Sequence, residues 1–220
     1  MSELRLLFRK EGRAKYISHL DLLHTMQRAF IRAGLKIRHT NGFNPHPYMS
    51  FALPLSVGQE SVCELMDFGL VSEADMDRLP EILNAALPEG ITAIKAYAAE
   101  MKLCDIKWLK VSGVFTYDNG APENGADRLA AFFAKESIII QKKGKKGIVD
   151  TDIIPLIKSI EFSPADEKRI RINCVVAAQN PSLNPSLLLT ALENHAPELS
   201  PDDASFCREE VYFSDLRIFR

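Results

Sequence analysis

The chain has 220 residues, 46% hydrophobic and 25% charged, an ordinary globular balance that excludes wholesale disorder and leaves room for one large domain or two small ones. No apolar run approaches the roughly 20 residues that span a bilayer, and the Met1-Ser2-Glu3 start lacks the layout of a secretion signal, so a cytoplasmic protein with no membrane partner is expected. The net charge of −2 divides unevenly: residues 1–58 hold nine Lys/Arg against three acids, a balance of +6 that suits an anionic ligand, although a solvated face gives the same count.

Leu4 to Lys10 reads as a first strand stopped at Glu11-Gly12. Ser18 is an N-cap with Asp21 three residues on, and Gly34 is the matching stop, which predicts a helix between them. Leu22, Leu23, Met26, Phe30 and Ala33 form its buried stripe, while His24, Arg28 and Arg32 stack at i, i+4, i+8 on another face. Leu35 to His39 alternates as a strand, and Asn41-Gly42 with Asn44-Pro45-His46-Pro47 makes a loop. Met49 to Leu55 resumes extended character, Val62 to Leu70 is a strand, Glu73 to Leu87 a helix stopped by Pro88 and Gly90, and Ile91 to Ala98 a closing strand.

That order is β-α-β-β-α-β, the split βαβ of a ferredoxin-like fold, in which two helices back one face of an antiparallel sheet. The order recurs loosely: strand Trp108 to Tyr117, helix Asp127 to Lys135, strands Ile138 to Gln141, Ile153 to Phe162 and Arg169 to Ala177, helix Pro185 to His195, strand Val211 to Phe219. The expected class is therefore α+β, with tandem ferredoxin-like halves at 1–101 and 107–220 and an irregular second copy.

Four of five histidines, His19, His24, His39 and His46, lie within residues 1–58. His19 opens a helix whose free N–H groups favour anions, so Lys15, Tyr16, Ser18 and His19 are candidates to grip a phosphate or carboxylate. The same residues also suit a plain helix start, with Tyr16 covering the core edge. Two prolines, a glycine and an aromatic fix the shape of Gly42 to Pro47; Asn44 and His46 are candidates to hydrogen-bond a base or sugar, and Phe43 to stack on one. The alternative is a structural turn that tucks Phe43 into the core. Lys142-Lys143-Gly144-Lys145-Lys146 reads as an exposed loop tip, a phosphate contact or a solubilising turn.

Asp21 and His24 lack the spacing of a zinc site, so no metal is expected. The cysteines, Cys63, Cys104, Cys174 and Cys207, include no C-x-x-C pair, which fits reduced thiols and excludes a local iron–sulfur motif. The common phosphate-loop, dinucleotide and serine-hydrolase motifs are absent.

The runs Arg13-x-Lys15-Tyr16-Ile17-Ser18-His19-Leu20-Asp21-Leu22, Arg32-Ala33-Gly34-Leu35 and Gly42-Phe43-Asn44-Pro45-His46-Pro47-x-x-Ser50-Phe51-Ala52-Leu53-Pro54-Leu55-x-Val57-Gly58 resemble the family called radical SAM-linked protein, a domain fused to or encoded beside a radical S-adenosylmethionine protein. The resemblance implies such a protein as partner, carrying the iron–sulfur cluster and S-adenosylmethionine, while this chain holds no cofactor of its own and binds the substrate. It also makes a tRNA or rRNA substrate plausible, in agreement with the +6 segment. The binding set is then Arg9, Lys15, Tyr16, Ser18, His19, His24, Arg28, Arg32, Phe43, Asn44 and His46, in a basic cleft.

Two other readings stand beside this one. A metal-independent endoribonuclease similar to CRISPR repeat-processing proteins would use His19 or His46 as acid or base, but Cys207 to Arg220 lacks the glycine-rich loop usual there. A protein-interaction domain would dock an acidic surface on the basic face.

Overall fold

The computed structural model describes residues 3–144 and 147–220. The chain divides into two compact units, Met1–Asp105 with Arg220, and Ile106–Phe219.

The first unit runs β1 (Leu4–Lys10), α1 (His19–Arg32), β2 (Met49–Phe51), β3 (Glu60–Phe68), α2 (Leu79–Asn84), β4 (Ile91–Ala98). Its strands lie in the order β4-β1-β3-β2, every neighbouring pair antiparallel, with Leu6 opposite Met66 and Ala96. Alternation along β1 puts Leu6 and Phe8 on one face, and both helices bury their stripes there: Leu22, Met26 and Phe30 from α1, Leu79 and Leu83 from α2. Each such side chain stabilises the unit by about 1.5–3 kcal/mol on burial, which is what holds two short helices to the sheet.

Ser18 caps α1 as its sequence predicts, and Gly34, at φ 72°, ends it in a conformation that only glycine adopts without strain. Three expectations need correction. Leu35–His39 is not a strand; it makes only single bridges, Ile37 to Leu70 and His39 to Pro47. β2 ends at Phe51 because Leu53 turns to φ 49°. The helix expected over 73–87 shrinks to Leu79–Asn84, because Pro80 has no N–H to donate and is tolerated only in a first turn.

The second unit runs β5 (Trp108–Thr116), α3 (Gly125–Phe133), β6 (Ile139–Gly144), β7 (Gly147–Asp152), β8 (Ile157–Asp166), β9 (Arg169–Ala177), α4 (Ser186–His195), β10 (Asp203–Tyr212). Its sheet order β10-β5-β9-β8 repeats that of the first unit, again antiparallel throughout. The irregularity is a separate hairpin, β6-β7, inserted between α3 and β8. The fold is thus α+β and ferredoxin-like in both units. The closing strand is not Val211–Phe219: β10 begins eight residues earlier, and Leu216, at φ 63°, sits in a turn where Asp215 accepts from the N–H of Arg217.

Among the described residues no helix is long and apolar enough to cross a membrane. Of the basic run at 142–146, Lys142 donates to the carbonyl of Ser182, and residues 145 and 146 lie outside the described residues.

Candidate functional site

The chain leaves β1 through a turn that a buried charge organises. Lys10 is 1% exposed, and its Nζ donates to the carbonyls of Lys15 at 3.4 Å and Ile17 at 3.3 Å. A lysine there folds the 3-10 turn Gly12–Tyr16 back onto the sheet, with Ala14 buried and Arg13 and Tyr16 exposed. Lys15 faces Glu60 at 3.6 Å and lies 5.4 Å from the Tyr16 ring centroid, so part of its charge is already balanced. Arg9 stands 4.0 Å from Glu11.

The Ser18 hydroxyl is committed to the helix start: its Oγ accepts from the N–H of Asp21 at 3.1 Å and donates to that carboxylate at 2.7 Å. His19 is exposed, with its ring edge-on to Phe51 at 5.3 Å. Along α1, His24 and Arg28 are exposed and have no ion-pair partner among the described residues. Arg32 turns away from them and donates to the Ala86 carbonyl at 2.5 Å, behind α2. Helical rise separates His19 from Arg32 by about 20 Å, so these residues do not meet in one cleft.

The loop expected at 41–47 is closed by its own bonds. His39 bridges Pro47, the N–H of Thr40 donates to the His46 carbonyl at 2.8 Å, and the N–H of His46 donates to Thr40 Oγ1 at 3.2 Å. The His46 imidazole is taken up in this closure, its Nδ1 lying 3.1 Å from Thr40 Oγ1 and 3.2 Å from the Asn44 carbonyl oxygen. Phe43 stands at the tip, 109% exposed, and Asn44 beside it is exposed as well. The alternative that Phe43 enters the core is therefore wrong: loop closure leaves it no apolar neighbour to pack on.

The predicted set thus falls into three places: the turn before α1 with His19, the outer face of α1, and the 39–47 loop. Sequence reasoning missed the residues that join the last two. A hollow of about 590 Å³ lies between α1 and the loop stem, walled by Ile31, Leu35, Ile37, Pro47 and Val71, with Gln27, Lys36 and His39 as its polar groups. Ile31 is 73% exposed and Val71 54%, although both are aliphatic. The alternation of Leu35 and Ile37 is the available signal, and it is one that a sheet strand shares.

The loop stem is anchored by Arg38, whose guanidinium stacks over the Tyr48 ring at 5.0 Å. A Cβ at Gly69 would come within 2.8 Å of Arg38 Nε, so a larger residue there would displace the guanidinium from this position. Tyr48 in turn donates to Glu3 at 2.5 Å, and burial together with that carboxylate pushes the phenol up to about 12. Among the described residues no three His, Cys, Asp or Glu side chains are grouped to hold a metal.

Residues 3–185 match the family described as "Uncharacterized protein conserved in bacteria (DUF2344)". The chain belongs to this family. The match takes in every candidate site residue and stops short of α4 and β10. No curated protein matches the chain. Among solved structures it is similar to a chain of the archaeal box H/ACA sRNP Nop10-Cbf5 complex, at 10% identity and a TM-score of 0.47, over 93% of this chain and 46% of that one. It thus spans less than half the length of that relative. It is also similar to an unknown protein from Galdieria sulphuraria, at 15% identity and a TM-score of 0.27, over 93% of this chain and 96% of that one.

Proposed function

We propose that the first unit is a binding module for unpaired RNA or a nucleotide-like anion, and that it presents this substrate to a radical S-adenosylmethionine protein. The observation that carries the binding half is Phe43, wholly exposed on a loop whose shape is fixed before any ligand arrives. Exposing a phenylalanine to water is unfavourable, and a preformed loop spends no ordering entropy on contact, so the ring is well placed to stack on a base. Arg13, His24 and Arg28 supply exposed positive or protonatable groups with no carboxylate partner among the described residues. The partner half rests on the resemblance at residues 13–58, which assigns the iron–sulfur cluster and S-adenosylmethionine to the other protein.

The test is fluorescence polarisation of a labelled single-stranded RNA with the full chain across a salt series. Binding is expected to weaken steeply with salt, and Arg13→Glu with Arg28→Glu is expected to flatten the log–log slope by about 1.4, two single-strand phosphate contacts' worth. No binding at low salt, or binding that ignores salt, refutes the reading. Intact RNA on a gel afterwards separates binding from cleavage. Co-elution with a radical S-adenosylmethionine protein tests the partner, and its absence removes that half alone.

A further inference from the structure

The apolar hollow beside the loop is the feature that phosphate binding and stacking on Phe43 leave unused. Its walls are aliphatic, and Gln27, Lys36 and His39 are the residues with polar side chains among those that line it. A ligand that covers the Gln27 amide or the His39 imidazole must offer it a hydrogen bond, which an acyl chain or an aliphatic side chain cannot do, at a loss of about 1–3 kcal/mol for each group so covered. A flat heteroaromatic ring uses both features at once, its faces against Ile31, Leu35 and Val71 and its edge on donors and acceptors. No residue lining the hollow is acidic, in a chain that carries 29 Asp and Glu, so the rim favours a ligand bearing negative charge.

The hollow also adjoins the stacking residue. Pro47 lines it and bridges His39, and Phe43 is four residues from either, at most about 14 Å of chain. Neighbouring nucleotides of one strand can therefore meet both.

From this geometry we infer that the hollow is a base pocket: it receives one unpaired nucleobase of a strand whose adjacent base stacks on Phe43, with Lys36 toward the phosphate. The inference rests on the reading of the unit as a nucleic-acid binder and narrows the ligand to a single strand or a flipped-out nucleotide, since a base held in a duplex cannot enter. Burial of the ring supplies affinity, and the Gln27 and His39 edges supply discrimination between bases.

The experiment compares a single-stranded RNA decamer with the same decamer carrying abasic riboses at its centre, which keeps every phosphate and removes the bases. Phe43→Ala protein is used as well, to silence stacking at the loop tip. It is expected to prefer the intact strand still by roughly tenfold, the scale of one well-held base. Adding Val71→Trp, which fills the hollow from an exposed position, is expected to abolish that remaining preference, and Ile31→Gln to reduce it. If Phe43→Ala alone removes the whole preference, or if Val71→Trp leaves it intact, the base pocket is refuted while the binding reading survives. If neither strand binds at low salt, both fall together.

Discussion

Replacing Phe43 by alanine tests the central claim with little structural side effect. At 109% exposure the ring buries nothing in the folded chain, so its removal should alter stability by no more than about 0.5 kcal/mol. The loop keeps its shape, because the bonds that close it come from Thr40, Asn44 and His46 and not from the ring. Stacking of one base on an aromatic side chain is worth about 1–3 kcal/mol, so affinity for single-stranded RNA should fall about 5- to 150-fold. The salt slope should stay where it was, because no phosphate contact is lost. Polarisation titrations at two salt concentrations, with a thermal melt of the same protein, read all three quantities. An unchanged dissociation constant refutes stacking; a lowered melting temperature refutes the claim that the ring is idle in the free protein.

The buried pair between Arg5 and Asp67, with Nε–Oδ1 2.6 Å and Nη2–Oδ2 3.0 Å, locks β1 against β3, and Arg5→Met should cost about 3–5 kcal/mol in urea unfolding while Arg5→Met with Asp67→Leu recovers most of it. A double variant as weak as the single one would show that the pair adds more than mutual neutralisation. Burial delays ionisation of Tyr97, and of Tyr48 and Tyr117 to about 12, above the ordinary phenol value of about 10, with the Tyr117 hydroxyl also held by the Leu199 carbonyl. A raised phenol contributes stability that is fully present below about pH 10 and lost as pH climbs toward 12, so absorbance at alkaline pH should show late tyrosinate formation coincident with unfolding. Three early, unfolding-independent transitions would contradict this. Burial also pushes the Cys174 thiol up to about 12, whereas Cys104 is exposed; iodoacetamide at pH 8 should label Cys104 in the native protein and Cys174 only in denaturant, by mass spectrometry.

Where a rule is local, the sequence carried it. Ser18 with Asp21, and Gly34 after Arg32, mark α1 because capping is settled within three or four residues, and the structure makes those bonds. The loop at 41–47 was legible for the same reason. Errors arose where one residue outweighed a pattern. Pro80 cut a helix whose periodicity ran on through it, and the strand expected at 211–219 is undone by the turn at Asp215–Leu216. β10 was hidden because Cys207-Arg208-Glu209-Glu210 reads as a polar run, although Arg208, opposite Val111 of β5, is only 7% exposed.

The candidate site shows the same division, with consequences for how its charge is counted. Nine lysines and arginines made residues 1–58 look like one cationic field, but the fold spends several of them internally. Arg5 holds Asp67, Lys10 folds the turn before α1, Lys15 faces Glu60, Arg32 caps the α2 end and Arg38 stacks on Tyr48. Composition cannot separate a charge that serves the fold from one that serves a ligand; only burial and partners do. On α1 it is Gln27 and Ile31 that line the aliphatic hollow, and Phe43 stands on a preformed tip, so under the proposed function recognition should depend less on total phosphate charge than on whether a base is free to leave its stack.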